Sequence, residues 1–372
     1  MNMTNIDTVF KTELFISLAA ILVSFLLAFF VTPFARKLAF RCGCLDVPDG
    51  KRKMHSTPIP YFGGLSILSG FSAAAVFFSL FLTGTVSTEI SVMLIGGACI
   101  FFVGILDDMY DIRAGYKLLA QIAVAAFAVY FGGAIEYTTI FGMSIDLGIF
   151  AFPVTVLWIV LIINAVNLID GLDGLAGGVS ALEAFALLIT SLIMGNPLCC
   201  IASAALCGAV LGFLPYNAGR ATIFMGDAGA MLIGYVMACI SVFGLFKAQA
   251  LFSIVVPTLI FVLPVMDTVH AFCRRILKGQ SPFKADRQHL HHKILDNGFN
   301  AKQSVLAIYV ASAVFCLASV LYMRYPMLSV GLCIVNFVYL EALKNDKKFL
   351  WQIKKQDFAA ETVKQTGELQ QH

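Results

Sequence analysis

The sequence predicts an all-α, polytopic membrane protein of about eleven transmembrane helices. Three observations carry this reading. First, 59% of the 372 residues are apolar and only 13% are charged, with a mean hydropathy of +0.88. A soluble domain averages about 45–50% apolar and about 25% charged residues. No single soluble core hides that much hydrocarbon, because surface-to-volume scaling leaves too many residues outside. The same composition excludes disordered, collagen-like and nucleic-acid-binding classes. Second, the apolar residues fall into eleven stretches, near 13–35, 62–83, 90–106, 116–132, 149–167, 174–194, 198–216, 229–246, 250–271, 302–323 and 327–343. Each is close to the ~20 residues that cross a bilayer. Third, with the N-terminus outside, only Lys11, Lys247 and Arg324 of the 25 Lys and Arg residues fall in outer loops. The excess of basic residues inside fixes this orientation and puts the C-terminus in the cytoplasm.

The first stretch has no basic segment before it, and Arg36 and Lys37 follow it directly, so it reads as a retained span and not a cleaved signal. The inner loop behind it carries Asp46, Asp49, Lys51, Arg52, Lys53 and His55, then Pro58, Pro60, Gly63 and Gly64. It is basic and kinked, and serves either orientation or phosphate support. Residues 1–343 form one membrane-embedded domain. Residues 344–372 are a polar, lysine-rich tail suited to the anionic inner leaflet. The ten cysteines show no CxxC or zinc-type spacing and read as small apolar fillers.

Acids at the inner ends of the spans need their own explanation, since Asp and Glu contribute little to orientation. Asp107, Asp108 and Asp111 close the third stretch, and Lys117 and Gln121 follow one turn apart on the next. Adjacent carboxylates repel unless a cation or lysine offsets them. Asn164, Asn167, Asp170 and Asp173 recur every three residues across the end of the fifth stretch. Where the backbone is helical, that spacing puts neighbours on one face. Amide and carboxylate oxygens are hard ligands suited to Mg²⁺ or Mn²⁺.

Phe224, Gly226, Asp227 and Gly229 precede the eighth stretch, behind Asn217 and Arg220. Asp227 is either an N-cap or a ligand at a helix N-terminus, and Phe224 is either packing or a stacking surface for a flat base. The loop after the ninth stretch carries Asp267, His270, Arg274, Arg275, Asp286, Arg287, His289, His291 and His292. Alternating Arg and His, with no cysteine in the HxHH segment itself, suit a phosphate-rich ligand better than a soft metal. Carboxylates and amides for a divalent cation, with Arg, Lys and His for phosphate, are what phosphoryl transfer between a soluble nucleotide donor and a lipid acceptor needs.

The segments DDMYDIRAGYK, NAVNLIDGLDGL, FMGDAG and ADRQHLHH, in this order, resemble the polyprenyl-phosphate N-acetylhexosamine-1-phosphate transferases (glycosyltransferase family 4). The resemblance runs from about Asp46 to His292. It implies an Mg-dependent enzyme, with Mn²⁺ as the alternative ion, that moves a sugar 1-phosphate from a UDP-sugar to undecaprenyl phosphate and releases UMP. It also implies a bacterial inner-membrane location among membrane lipids, with the active site on the cytoplasmic face. Oligomeric state is left open, a homodimer included.

By the same resemblance, Asn167 and Asp227 hold the metal with the donor diphosphate. Asp107 and Asp108 match an Asp pair that acts as base or as electrostatic organiser, Lys117 faces them, and Asp170 and Asp173 are nucleotide-side carboxylates. Phe224 stacks on uracil, and Asn217, Arg287, His289, His291 and His292 grip the donor sugar and phosphates, with Lys53 and His55 as lipid-phosphate or loop support. PFKADRQHLHH, in place of a continuous HHH, resembles the branch that uses UDP-GlcNAc for O-antigen, common antigen or teichoic acid. The phospho-MurNAc-pentapeptide transferase is the alternative enzyme. A transporter is the alternative of another class, for which Glu183 is the clear ionisable residue deep in a span.

Overall fold

A computed structural model describes residues 3–47, 58–140, 143–246, 254–281 and 288–345. It is a bundle of helices: α1 (Met3–Cys42), α2 (Gly63–Thr83), α3 (Thr88–Tyr110), α4 (Ala114–Gly132), α5 (Ala151–Ile169), α6 (Leu175–Met194), α7 (Pro197–Asn217), α8 (Gly226–Ile240), α9 (Val255–Ile260), α10 (Val262–Leu277), α11 (Leu290–Asp296), α12 (Ala301–Tyr322) and α13 (Pro326–Asn345). Local chemistry sets several of the ends. The Ser87 hydroxyl accepts from Ile90 N, the Asn196 side chain accepts from Cys199 N, and Asn300 with Gln303 forms a reciprocal capping box.

Ten helices among the described residues are long and apolar enough to cross a membrane. Their outward faces carry Phe15, Phe34, Phe81 and Leu157, each more than 60% exposed. So wide an apolar surface belongs in lipid.

The ninth apolar stretch differs from the single span expected. Residues 247–253 lie outside the described residues, and the rest is broken at Phe261 into α9 and α10, which run 6 and 16 residues. Pro264 explains the break. It has no N–H to give Ile260, and its ring crowds that carbonyl. Two short strand pairs also punctuate the helices. Leu45–Asp46 pairs antiparallel with Ile59–Pro60, and Tyr137–Ile140 pairs antiparallel with Met143–Asp146. The tail beyond Asn345 lies outside the described residues, as do Lys53, His55 and Arg287.

The central post is α8. Fourteen of its fifteen residues are buried, and Asp227 is the exception. It packs on α2, α3 and α5, while α1 lies outside against α7 and α2, and α12 leans on α6 and α13. The contact of α3 with α8 is close because Gly104 lacks a side chain. A Cβ there would overlap Ala228 Cα and lie 2.8 Å from the carbonyl carbon of Asp227. Gly104→Val is therefore expected to destabilise the protein by about 1–3 kcal/mol through overpacking. Thermal unfolding in detergent reads this as a lower Tm, and an unchanged Tm would mean that the two helices separate without cost.

Glu183, the acid within the sixth stretch, is fully buried in α6. The succession of antiparallel helices brings the ends of α3, α5 and α7 and the starts of α2, α4, α6 and α8 to one end of the bundle. The polar clusters meet there.

Candidate active site

The site is built around the first turn of α8. Asp108, at the end of α3, accepts from Asp227 N at 2.8 Å and from Ala228 N at 3.3 Å. These are N–H groups that the helix itself leaves unpaired, and a carboxylate also suits the positive end of the helix dipole. Gly226 makes room for this contact. Its φ is +69°, and a Cβ there would strike the Asp108 carboxylate. Asp107 faces the other way. Its Oδ1 accepts from Ile112 N at 2.9 Å, and its Oδ2 accepts from Lys117 Nζ at 2.7 Å.

The Lys117 ammonium also contacts Asp227 Oδ2 directly. With its amide oriented to satisfy both neighbours, Asn167 accepts from Lys117 Nζ at 3.0 Å and donates to Asp227 Oδ1 at 3.1 Å. Three side chains, from α3, α5 and α8, thus converge on the one ammonium that α4 supplies. One turn deeper, Asn164 Nδ2 donates to Gln121 Oε1 at 2.6 Å, and Gln121 Nε2 faces Met231 Sδ. Asn164 therefore braces α4 against α5 beneath the site.

The turn between α5 and α6 forms the second wall. Asp173 Oδ2 accepts from Ala221 N at 2.9 Å. The Asn217 amide is engaged on both sides, accepting from Gly174 N at 3.0 Å and donating to the Ile223 carbonyl at 3.1 Å. Expected among the donor-binding residues, Asn217 is instead a buried brace between this turn and the segment entering α8. Asp170 is half-buried nearby. Burial first, then the charges of Asp227 and Asp173, push its carboxyl up to about 7. Phe224 is half-buried, with Tyr61 beside it at 6.1 Å between ring centroids, and its backbone is pinned to Pro60 and Gly63.

The histidine segment closes the third side. His289 Nδ1 lies 2.9 Å from Asp267 Oδ2, and Asp267 Oδ1 accepts from Leu290 N at 2.9 Å. His291 is buried against Gly171, which places the segment beside the Asp170–Asp173 turn. Its ring lies parallel to that of His289 at 6.0 Å, with His292 at 4.2 Å. Burial first, then His292, pulls the His291 imidazole down to about 4. Burial thus disfavours the charged form here, so of the roles open to the histidine cluster, binding phosphate as a cation is the one that suits His291 least. By sequence Asp267 is one more residue of the loop cluster, and in the fold it orients His289. The two lie 22 residues apart, and only the fold pairs them.

Asp227 and Asn167 offer hard oxygens side by side. Among the described residues no three His, Cys, Asp or Glu converge into a metal cage. Such a pair still fits Mg²⁺, which takes one or two carboxylates and fills its remaining positions with substrate phosphates and water. The ammonium already held between Asp107, Asp227 and Asn167 marks the place as one that attracts a cation.

Fold and site together define a polytopic membrane protein with a polar centre at one end of the bundle, built to handle phosphate. Comparison with known proteins agrees. Residues 90–245 match the model of glycosyl transferase family 4. A Bacillus subtilis protein named "probable undecaprenyl-phosphate N-acetylglucosaminyl 1-phosphate transferase" is 35% identical over 303 residues, covering 81% of this chain and 83% of its own. A decaprenyl-phosphate N-acetylglucosaminephosphotransferase of Mycolicibacterium smegmatis is 33% identical over 316 residues, covering 78% of each. An undecaprenyl-phosphate alpha-N-acetylglucosaminyl 1-phosphate transferase of Escherichia coli K12 is 33% identical over 297 residues, covering 77% and 79%. The chain belongs to glycosyl transferase family 4, among the polyprenyl-phosphate N-acetylglucosamine-1-phosphate transferases.

Proposed function

We propose that the protein transfers GlcNAc-1-phosphate from UDP-GlcNAc to undecaprenyl phosphate, giving undecaprenyl-diphospho-GlcNAc and UMP. The similarity to the relatives above supports the substrates. The observation that carries the chemistry is the convergence of Asp107, Asn167 and Asp227 on the Lys117 ammonium. This end of the bundle faces the cytoplasm of a bacterial inner membrane, a reading supported by the basic loops at the same end.

In this reading a lipid phosphate oxygen attacks the sugar-bearing phosphorus in line, and the P–O bond to UMP breaks. The bond from sugar to oxygen is untouched, so the anomeric configuration is retained. Asn167 and Asp227 would hold Mg²⁺, which when bound neutralises the diphosphate and polarises it. Lys117 adds positive charge beside the reacting phosphates, and Asp107 keeps that ammonium in place. Asp108 holds the start of α8, so that Asp227 is presented at a fixed position. Asp170 and Asp173 face the nucleotide side. Their turn is held by Asn217, and Phe224 offers a ring face on which uracil stacks.

His289 donates Nδ1–H to Asp267, which leaves Nε2 to meet the donor. Removing this orientation by Asp267→Ala is expected to raise the KM for the UDP-sugar about tenfold, which corresponds to ~1.4 kcal/mol. The fall in kcat should be smaller, because the centre on α8 is intact. Steady-state kinetics checks this, and an unchanged KM would show that His289 does not need Asp267.

The test of the function is UMP release by purified protein with undecaprenyl phosphate, Mg²⁺ or Mn²⁺, and a panel of UDP-sugars. UDP-GlcNAc should be the preferred donor. Preference for UDP-MurNAc-pentapeptide, or solute flux without UMP release, would overturn the reading.

A further inference from the structure

Tyr61 has no part in the chemistry above, yet it lies at the edge of the catalytic centre. It joins the strand pair of Leu45–Asp46 and Ile59–Pro60 to the start of α2. Its N donates to the Cys44 carbonyl at 3.2 Å, which extends that pair by one bond. Its hydroxyl donates to the Asp46 carboxylate. Asp46 is buried, and a buried carboxylate needs such a donor. Burial first, then this bond and the charges of Asp46, Asp108 and Asp227, push the phenol well above its usual range. The hydroxyl therefore stays protonated and keeps donating, and it stands near enough to the α8 centre to feel its acids.

The same short stretch holds Phe224. Phe224 N donates to the Pro60 carbonyl at 2.8 Å, Gly63 N donates to the Phe224 carbonyl at 2.9 Å, and Gly64 N donates to the Met225 carbonyl at 3.2 Å. Gly63 permits the approach, because a Cβ there would lie 2.6 Å from the Phe224 carbonyl oxygen. These bonds fix the backbone of Phe224 and leave its ring torsions to be set by side-chain neighbours. Tyr61 lies inside this clamp. Its ring meets the Phe224 ring at 6.1 Å between centroids and 43° between planes, a direct aromatic contact. A base inserted between the two rings would need about 7 Å, two contact layers of ~3.5 Å. Tyr61 therefore acts on Phe224 from the side and is not a second stacking face.

We propose that Tyr61, anchored by Asp46, is a positioning residue for the donor nucleotide, holding the Phe224 ring in the plane on which uracil stacks; this rests on the reading that Phe224 meets uracil. A ring that must be ordered when the donor arrives costs binding energy, and a ring already held does not. The effect falls on nucleotide binding and not on the phosphoryl step at Asp227.

The test is steady-state kinetics of the full-length protein in detergent, with UMP as competing nucleotide and thermal unfolding alongside. Tyr61→Ala is expected to raise both the KM for UDP-GlcNAc and the inhibition constant of UMP about tenfold. Its kcat should stay within about twofold of the parent, and its Tm within a few degrees. Tyr61→Phe keeps the ring and loses the anchor, so its values should fall between the two. In a Phe224→Ala background, Tyr61→Ala should add less than about twofold, because no ring is left to hold. Unchanged constants in Tyr61→Ala beside raised ones in Phe224→Ala overturn the role of Tyr61 and leave the stacking reading intact. Unchanged constants in Phe224→Ala overturn that reading, and the role of Tyr61 with it. Full additivity of the two substitutions, or loss of kcat and Tm at constant KM, makes Tyr61 a structural prop and overturns the proposal. So does Tyr61→Phe equal to the parent, because Asp46 would then anchor nothing.

Discussion

Asp227→Ala is expected to lower UMP release by about 10³-fold or more, the scale set by removing a group that organises charge in a transition state. The carboxylate is the point where Lys117 and Asn167 meet, and it is the one residue of α8 that the bundle leaves uncovered. Its loss should spare the fold. Asp108 holds α8 through the backbone N–H groups of Asp227 and Ala228, and those survive the substitution. The Tm should therefore stay within a few degrees of the parent while activity disappears. Asn167→Ala should follow the same pattern with a smaller loss, because an amide contributes an oxygen but no charge. Near-normal turnover in Asp227→Ala would reduce this residue to a helix-terminal charge and remove the proposed metal ligand.

The membrane class was legible because a span is a local quantity. About twenty apolar residues suffice, wherever the neighbours lie. The clusters at Asp107, Asn167 and Asp227 were legible for a related reason, since polar residues at span ends stand out against so much hydrocarbon. Their convergence on Lys117 was implied only by resemblance, because it depends on how α3, α4, α5 and α8 pack. Individual roles were hidden for the same reason. Asn217 and Asn167 are the same residue type at the ends of two spans, yet one braces two backbone groups and the other faces the ammonium. The break in the ninth stretch had a signal in the sequence, Pro257 and Pro264 within one apolar run, which an average of hydropathy passes over. The pairing of Asp267 with His289 had none, because nothing local links positions 22 apart.

The adjacent acids of α3 give the other large effect, and they separate two accounts of Asp108. As a base toward the lipid phosphate, Asp108 would act through a free carboxylate oxygen. Asn and Ala in its place would then be equally inactive and equally stable. As a cap on α8, it acts through two accepted N–H bonds, and the outcomes differ. Asp108→Ala should cost about 1–2 kcal/mol of stability, the range for a lost helix cap. It should also lower turnover by about 10²-fold or more, because the start of α8 that presents Asp227 loses its anchor.

Asp108→Asn keeps one acceptor oxygen, so it should recover part of the Tm and part of the rate together. The structure favours the cap. Both oxygens of Asp108 face backbone donors of α8, and Gly226 is shaped to let them approach. Most phosphate monoester is already ionised at neutral pH, with a second pKa near 6, so the attacking oxygen has little need of a base. Correlated loss of Tm and turnover across Asp108→Asn and Asp108→Ala would place the residue's work in holding a helix. A fall in turnover with no change in Tm would return it to proton transfer.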